Sequence, residues 1–181
     1  INHSAKYVKS HAVIFLDEKL YEQSKEFLQN YRGIIFAAWR TDYWRKANTS
    51  AKVYHFTCLN ERLYNGAYGV SKHYYEGLFD SANTGLCAIN LALIMKARNI
   101  YLYGFDLNDE VKPYKHFYYS KDYGDVYLNE GNYRNSEKMQ RIIKKHAMYY
   151  GCYNNIYNCS DISKIECYKH SDYGQKIEVV V

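Results

Sequence analysis

Proline is almost missing from this chain: Pro113 is the single one in 181 residues, and neither an internal repeat nor a low-complexity segment divides the sequence. The length is that of one domain, and nothing in the composition marks a linker. Long apolar runs are missing too. None approaches the roughly 20 residues that a membrane-spanning helix needs, and no charged-then-apolar leader opens the chain. The five cysteines, Cys58, Cys87, Cys152, Cys159 and Cys167, are odd in number, and no two are spaced Cys-x-x-Cys. This argues against a disulfide scaffold and fits reduced thiols in a cytoplasmic protein. Cys152, Cys159 and Cys167 fall on different expected elements, so no metal site is assigned to them. Charge of one sign is not concentrated either: 24 Lys and Arg stand against 19 Asp and Glu, a net +5 spread along the chain. With no basic stripe, zinc-finger spacing or aromatic RNA-binding signature, nucleic acid is not an expected partner, and an anionic small ligand is.

What the chain does have is apolar and aromatic mass. Hydrophobic residues make up 48%, enough for a sizeable core, and 23 tyrosines are present. A tyrosine can stack on a base or a sugar, but most tyrosines pack half-buried with the hydroxyl reaching water. In the tyrosine-rich loops they also suit a subunit interface, so a homo-oligomer is compatible with the sequence.

The order of apolar runs predicts an α/β fold. Ala12 to Leu16 reads as a strand, and Leu20, Tyr21, Phe27 and Leu28 follow at helical spacing. Ile34 to Ala38 and Val53 to Phe56 read as two further strands, and Asn60 to Asp80 as a polar surface excursion, a candidate lid. Ser81-Ala82-Asn83-Thr84-Gly85 then supplies capping residues for a helix carrying Leu86, Ile89, Ala92, Leu93 and Met95, with Asn99 closing it. Ile100 to Gly104 is a compact strand that ends in Phe105-Asp106-Leu107-Asn108. Met139, Ile142, Ile143, His146, Ala147 and Tyr150 repeat as an amphipathic helix. Ile156 to Cys159 is a strand, Ser160 to Ile165 a turn or short helix, and Lys176 to Val181 a terminal strand. Strands alternating with helices imply a mostly parallel, Rossmann-like sheet in a single domain. In such a sheet ligands sit beyond the carboxyl ends of the strands, where Asp106 and Asn108 lie. Ile1-Asn2-His3 reads as a strand end, so an earlier strand with its glycine-rich turn is expected upstream.

Asn83, Thr84 and Gly85 open a helix, and helix amides with the positive end of the dipole suit a phosphate or carboxylate. Gly85 would let a ligand approach the backbone closely. The plainer alternative is an ordinary cap followed by a glycine chosen for packing. Asp106 suits a ribose or sugar hydroxyl, and equally the capping of the next turn.

The segment Ser81-Ala82-Asn83-Thr84-Gly85, followed by Ile100-Tyr101-Leu102-Tyr103-Gly104-Phe105-Asp106, resembles the nucleotide site of the small bacterial sialyltransferases, the family 42 glycosyltransferases. It also resembles related pterin pyrophosphokinase-like domains of unknown function. The late helix with Ile156 to Ser160 and Ser163 resembles the same family's late helix, strand and serine-containing turn, and Asn2 with Ala12 to Asp17 resembles its early strands. The resemblance implies that Asn83, Thr84 and Gly85 hold the donor's carboxylate or phosphate and that Asn2 touches the nucleotide. Asp17 replaces an asparagine of the family. Tyr114 stands where a tyrosine hydroxyl grips the departing phosphate, and Asn108 stands where its partner tyrosine would be. Family members transfer a sugar from a cytidine monophosphate donor to an acceptor hydroxyl without a metal or other cofactor. Their general base is a histidine just before the late helix, and Gly131 to Ser136 holds none. His116, near Tyr114, is the candidate replacement, with His3 second, because an imidazole titrates near neutral pH. His146 reads as a core residue. Two rivals stand beside the transferase: a pterin-type diphosphotransferase, with magnesium on Asp106, Asp109 and Glu110, and a non-catalytic ligand-binding domain.

Overall fold

A computed structural model describes residues 9–16, 18–38, 49–59, 71, 73–79, 83–105, 143–144, 147–148 and 155–173. The contacts gather the chain into two compact units, Ile1–Ala97 with Glu178–Val181, and Arg98–Ile177.

In the first unit, β1 (Ala12–Phe15), β2 (Ile34–Ala38) and β3 (Lys52–Phe56) form a parallel sheet in the order β1-β2-β3, and α1 (Glu18–Asn30) is the crossover from β1 to β2. β1 and β2 read as continuous apolar runs because they are buried on both faces, whereas Lys52 and Tyr54 of the edge strand β3 are exposed. Val13, Phe15, Ile35 and Ala37 point to one side and pack with Leu28 of α1, while Ile14, Phe36 and Ala38 point to the other. There they meet Cys87 and Leu91 of α2 (Thr84–Ile94). The result is helix, sheet, helix. Leu28 and Ser24, four residues apart on α1, are both buried, as the helical period requires. The α1 end is tied down by polar groups: Thr49 Oγ1 donates to the Leu28 carbonyl at 2.6 Å and Tyr31 OH to that of Ser10 at 3.0 Å.

A second pair of strands, β4 (Cys58–Leu59) and β5 (Leu78–Phe79), runs parallel and precedes α2. Part of the expected surface excursion is therefore core: Leu78 is fully buried and Phe79 nearly so. Two residues are too few to display a strand period, which is why the sequence reads as loop there. The short 3-10 turn at Tyr74–Glu76 leads into Gly77, whose φ of 105° and close approach to the Thr57 carbonyl oxygen leave no room for a Cβ. Residues 60–70, 72 and 80, the rest of the candidate lid, lie outside the described residues.

The helix α2 is apolar on all sides, as befits a buried element. It ends at Ile94, five residues before Asn99. The amide of Lys96 bonds the Leu93 carbonyl and that of Ala97 the Ala92 carbonyl, with Lys96 itself left-handed at φ 57°. This is the Schellman ending, carried here by a lysine where glycine is usual, so the sequence shows no stop signal.

In the second unit β6 (Ile100–Leu102), β7 (Ile156–Asn158) and β8 (Lys169–His170) are parallel in the order β6-β7-β8. Leu102, Ile156 and Asn158 are buried on one face, and Tyr101 and Tyr157 are paired on the other. The two-residue β8 is another strand too short to see in sequence. Ser160 to Ile165 is a turn, held by side chains. Ile143, Lys144, Ala147 and Met148, the described part of the expected late helix, are helical, and Ile143 is fully buried. The expected terminal strand lies outside the described residues. The chain is thus an α/β protein of small parallel sheets, and among the described residues no helix is long and apolar enough to cross a membrane.

Candidate functional site

The helix start singled out in the sequence is well defined. Asn83 is extended (φ −135°, ψ 116°), and its Oδ1 accepts hydrogen bonds from the Gly85 amide at 2.8 Å and the Leu86 amide at 3.2 Å. The Leu86 and Cys87 amides also reach the Asn83 carbonyl. Asn83 is therefore a true N-cap, and it engages the very amides that an outside anion would have used. Thr84 and Gly85 are buried, whereas Asn83 is half-buried. With Oδ1 turned into the helix, the carboxamide Nδ2 turns away from it, and among the described residues it has no hydrogen-bond partner. Nδ2 is thus the carboxamide group that does not engage the helix amides, at the positive end of a buried helix.

The helix is held in place by a residue that the sequence reading passed over. Asn90 is fully buried on α2; its Oδ1 accepts from the Phe79 amide and its Nδ2 donates to the Ser71 carbonyl, each at 3.1 Å. It fastens β5 and the preceding loop to the helix, and so positions Asn83. An asparagine inside an apolar helix is the signal that marks it, since a buried amide persists only when its partners are satisfied.

Asn2, Asp17, Asp106, Asn108, Tyr114 and His116 lie outside the described residues, as do His3, His146, Asp109 and Glu110.

In the second unit the segment Tyr103-Gly104-Phe105 leaves β6 through Gly104, left-handed at φ 67°, a turn that a side chain would strain. Ser163 fixes the next residue: its hydroxyl donates to the Phe105 carbonyl at 2.7 Å and accepts from the Ile165 amide at 3.2 Å. The serine-containing turn after β7 therefore has a structural task at the carboxyl end of the sheet. Asn158, also buried, bonds the Ile165 carbonyl and the Ser160 amide. Tyr103 has its pKa pushed up to about 12, first by partial burial, then by its hydrogen bond with Cys159 and by the neighbouring phenols of Tyr173 and Tyr101. It is neutral throughout the physiological range. Burial pushes the Cys167 thiol up as well, so it is not an activated nucleophile. Cys58, Cys87, Cys159 and Cys167 are free thiols, and among the described residues no group of His, Cys, Asp and Glu is arranged to hold a metal ion.

A cavity of about 190 Å³ opens in the first unit between β1, Phe36 and the carboxyl-terminal half of α2, lined by Ala12, Val13, Ile14, Ala88, Leu91, Ala92 and Met95 as well. All the described residues that line it are apolar, and none belongs to the Asn83 helix start.

Compared with known proteins, the chain matches no family model, no curated protein and no solved structure.

Proposed function

We propose that the chain is a nucleotide-sugar-binding, glycosyltransferase-like protein, resembling the small bacterial sialyltransferases and built as one Rossmann-like domain. In this reading it acts in the cytoplasm, and it passes a sugar from a cytidine monophosphate-type donor to a carbohydrate or other acceptor hydroxyl without metal. The observation that carries the reading is the capped start of α2: in the segment that resembles the family's donor site, Asn83 fixes its own Oδ1 on the helix, which leaves Nδ2 as the donor for a ligand. Breaking a glycosidic phosphate bond builds negative charge on the leaving oxygens, and preorganised donors stabilise that charge. Asn83 Nδ2 serves as one donor and the Tyr114 hydroxyl as a second. His116 takes the acceptor proton in place of the absent family base. Asn2, Asp17, Asp106 and Asn108 contribute to the nucleotide and sugar contacts.

The test separates capping from binding. Aspartate caps as well as asparagine but offers no donor and carries the wrong charge for an anion, so Asn83→Asp keeps the helix and loses the ligand. The thermal midpoint of the full chain should rise with cytidine monophosphate, with or without magnesium, and that rise should vanish in Asn83→Asp while its ligand-free midpoint stays near wild type. A rise only with magnesium and a triphosphate would replace the transferase by a diphosphotransferase. No rise with any nucleotide would sink both readings.

A further inference from the structure

A separate feature stands on the second unit. Tyr101 is flanked by two rings, Tyr157 at 5.2 Å and Tyr173 at 4.5 Å between centroids, each inclined to it by 18°. Tyr101 and Tyr157 are register partners on neighbouring strands, so their stacking runs across the sheet, and Tyr173 extends the column on the other side of Tyr101. The column ends in the open: Tyr173 is 60% exposed. Among the described residues, the buried side chains of this sheet, Leu102, Ile156 and Asn158, lie on the opposite face.

The polar surroundings choose the occupant. Asp172 precedes Tyr173 on the same turn, and His170 Nε2 lies 3.3 Å from Oδ1 of both Asp172 and Asp161. One Nε2 proton serves two carboxylates that are 83% and 84% exposed, so most of their acceptor capacity is left over. An exposed aromatic ring next in sequence to Asp172, whose carboxylate shares His170 with Asp161, suits a ring with C–H bonds on its face and hydroxyl donors on its rim. A nucleobase would also stack, but it brings a phosphate chain that two carboxylates repel. An organic cation would suit the ring, but His170 sits between the carboxylates and the chain as a whole is net positive.

We propose that Tyr173, at the end of the Tyr157–Tyr101–Tyr173 column, together with Asp172 and Asp161, binds the ring of a neutral carbohydrate. The site does not depend on the transferase reading.

Saturation-transfer NMR on the full chain tests this with methyl β-glucoside, methyl β-galactoside and lactose, alongside a thymidine oligonucleotide and tetramethylammonium. Transfer should reach the ring protons of at least one sugar. Affinity should fall about five- to tenfold in Tyr173→Ala, hold in Tyr173→Phe, and fall less in Asp172→Asn, as loss of one aromatic contact predicts. Tyr173 is exposed, so the variants should keep the wild-type amide spectrum. Absence of transfer to every sugar, unchanged affinity in Tyr173→Ala, or preference for the oligonucleotide or the ammonium ion would overturn the proposal. No nucleotide is present, so failure here leaves the cytidine monophosphate test untouched.

Discussion

The two units solve the same problem, holding a small parallel sheet, by different means. The first packs amphipathic α1 on one face of its sheet and apolar α2 on the other, so its stability resides in buried hydrocarbon: Phe15, Leu28, Ile35, Leu78 and Leu86 are all essentially inaccessible. The second joins strands of two or three residues through side-chain amides and hydroxyls, Asn155 to Arg98, Asn158 to Ile165 and Ser163 to Phe105, and stacks tyrosines on the other face of its sheet. Hydrocarbon burial shows in sequence as apolar runs. A hydrogen-bonded turn shows only when the partner carbonyl is known.

The largest effect should come from emptying the hydrocarbon side. Phe15→Ala removes a fully buried ring from between β2 and α1 and should cost about 3–5 kcal/mol in urea denaturation. A loss under about 1 kcal/mol would mean that the first unit's core is not close-packed. Asn90 is the exception that sharpens the comparison, a polar clamp inside the apolar unit. Asn90→Ala removes the acceptor of the Phe79 amide and the donor to the Ser71 carbonyl and should cost about 3 kcal/mol, and Asn90→Leu should do no better, because it fills the volume without meeting either group. If Asn90→Leu were as stable as wild type, packing and not the clamp would hold β5 to α2.

In the second unit Asn158→Ala should cost about 2 kcal/mol, since it releases the Ile165 carbonyl and the Ser160 amide at once. Amide hydrogen exchange would locate the loss: faster exchange at Ser160 and Ile165 supports the polar-turn account, and a uniform rise across the sheet contradicts it.

These contrasts explain what could be read in advance. β1, β2, β3, β6, β7 and the start of α2 follow from apolar runs and the Asn83 cap, all local signals. β5 and β8 do not, because two-residue strands exist only through a partner, and the tyrosine column does not, because only register brings Tyr101 to Tyr157. In the candidate site the cap was legible and its consequence was not. That Asn83 engages the helix amides with its own Oδ1 is a matter of one torsion, which no spacing encodes.

Alkali probes the units through their tyrosines. Tyr74 has its pKa raised from 10.0 to about 12, first by burial and then by Tyr54, and its hydroxyl donates to the His55 carbonyl at 2.9 Å. A group whose proton is held more tightly in the fold contributes stability that is whole below pH 10 and is lost as pH climbs toward 12. Tyr74→Phe should therefore lower stability at pH 8 and flatten its decline above pH 10; an unchanged alkaline slope would show that Tyr74 ionises equally in both states.

The smallest effect has the opposite sign. Lys96 ends α2 in a left-handed conformation, with the hydrogen bonds that usually surround a glycine. A side chain there costs about 1–2 kcal/mol, and glycine returns roughly 0.5–1 kcal/mol of that as unfolded-state entropy, so Lys96→Gly should stabilise the chain by about 0.5–1 kcal/mol. Lys96→Ala keeps the Cβ and should gain nothing. Equal stability of the two variants would assign the gain to the removed charge, and the first unit would then hold no stored backbone strain at this helix end.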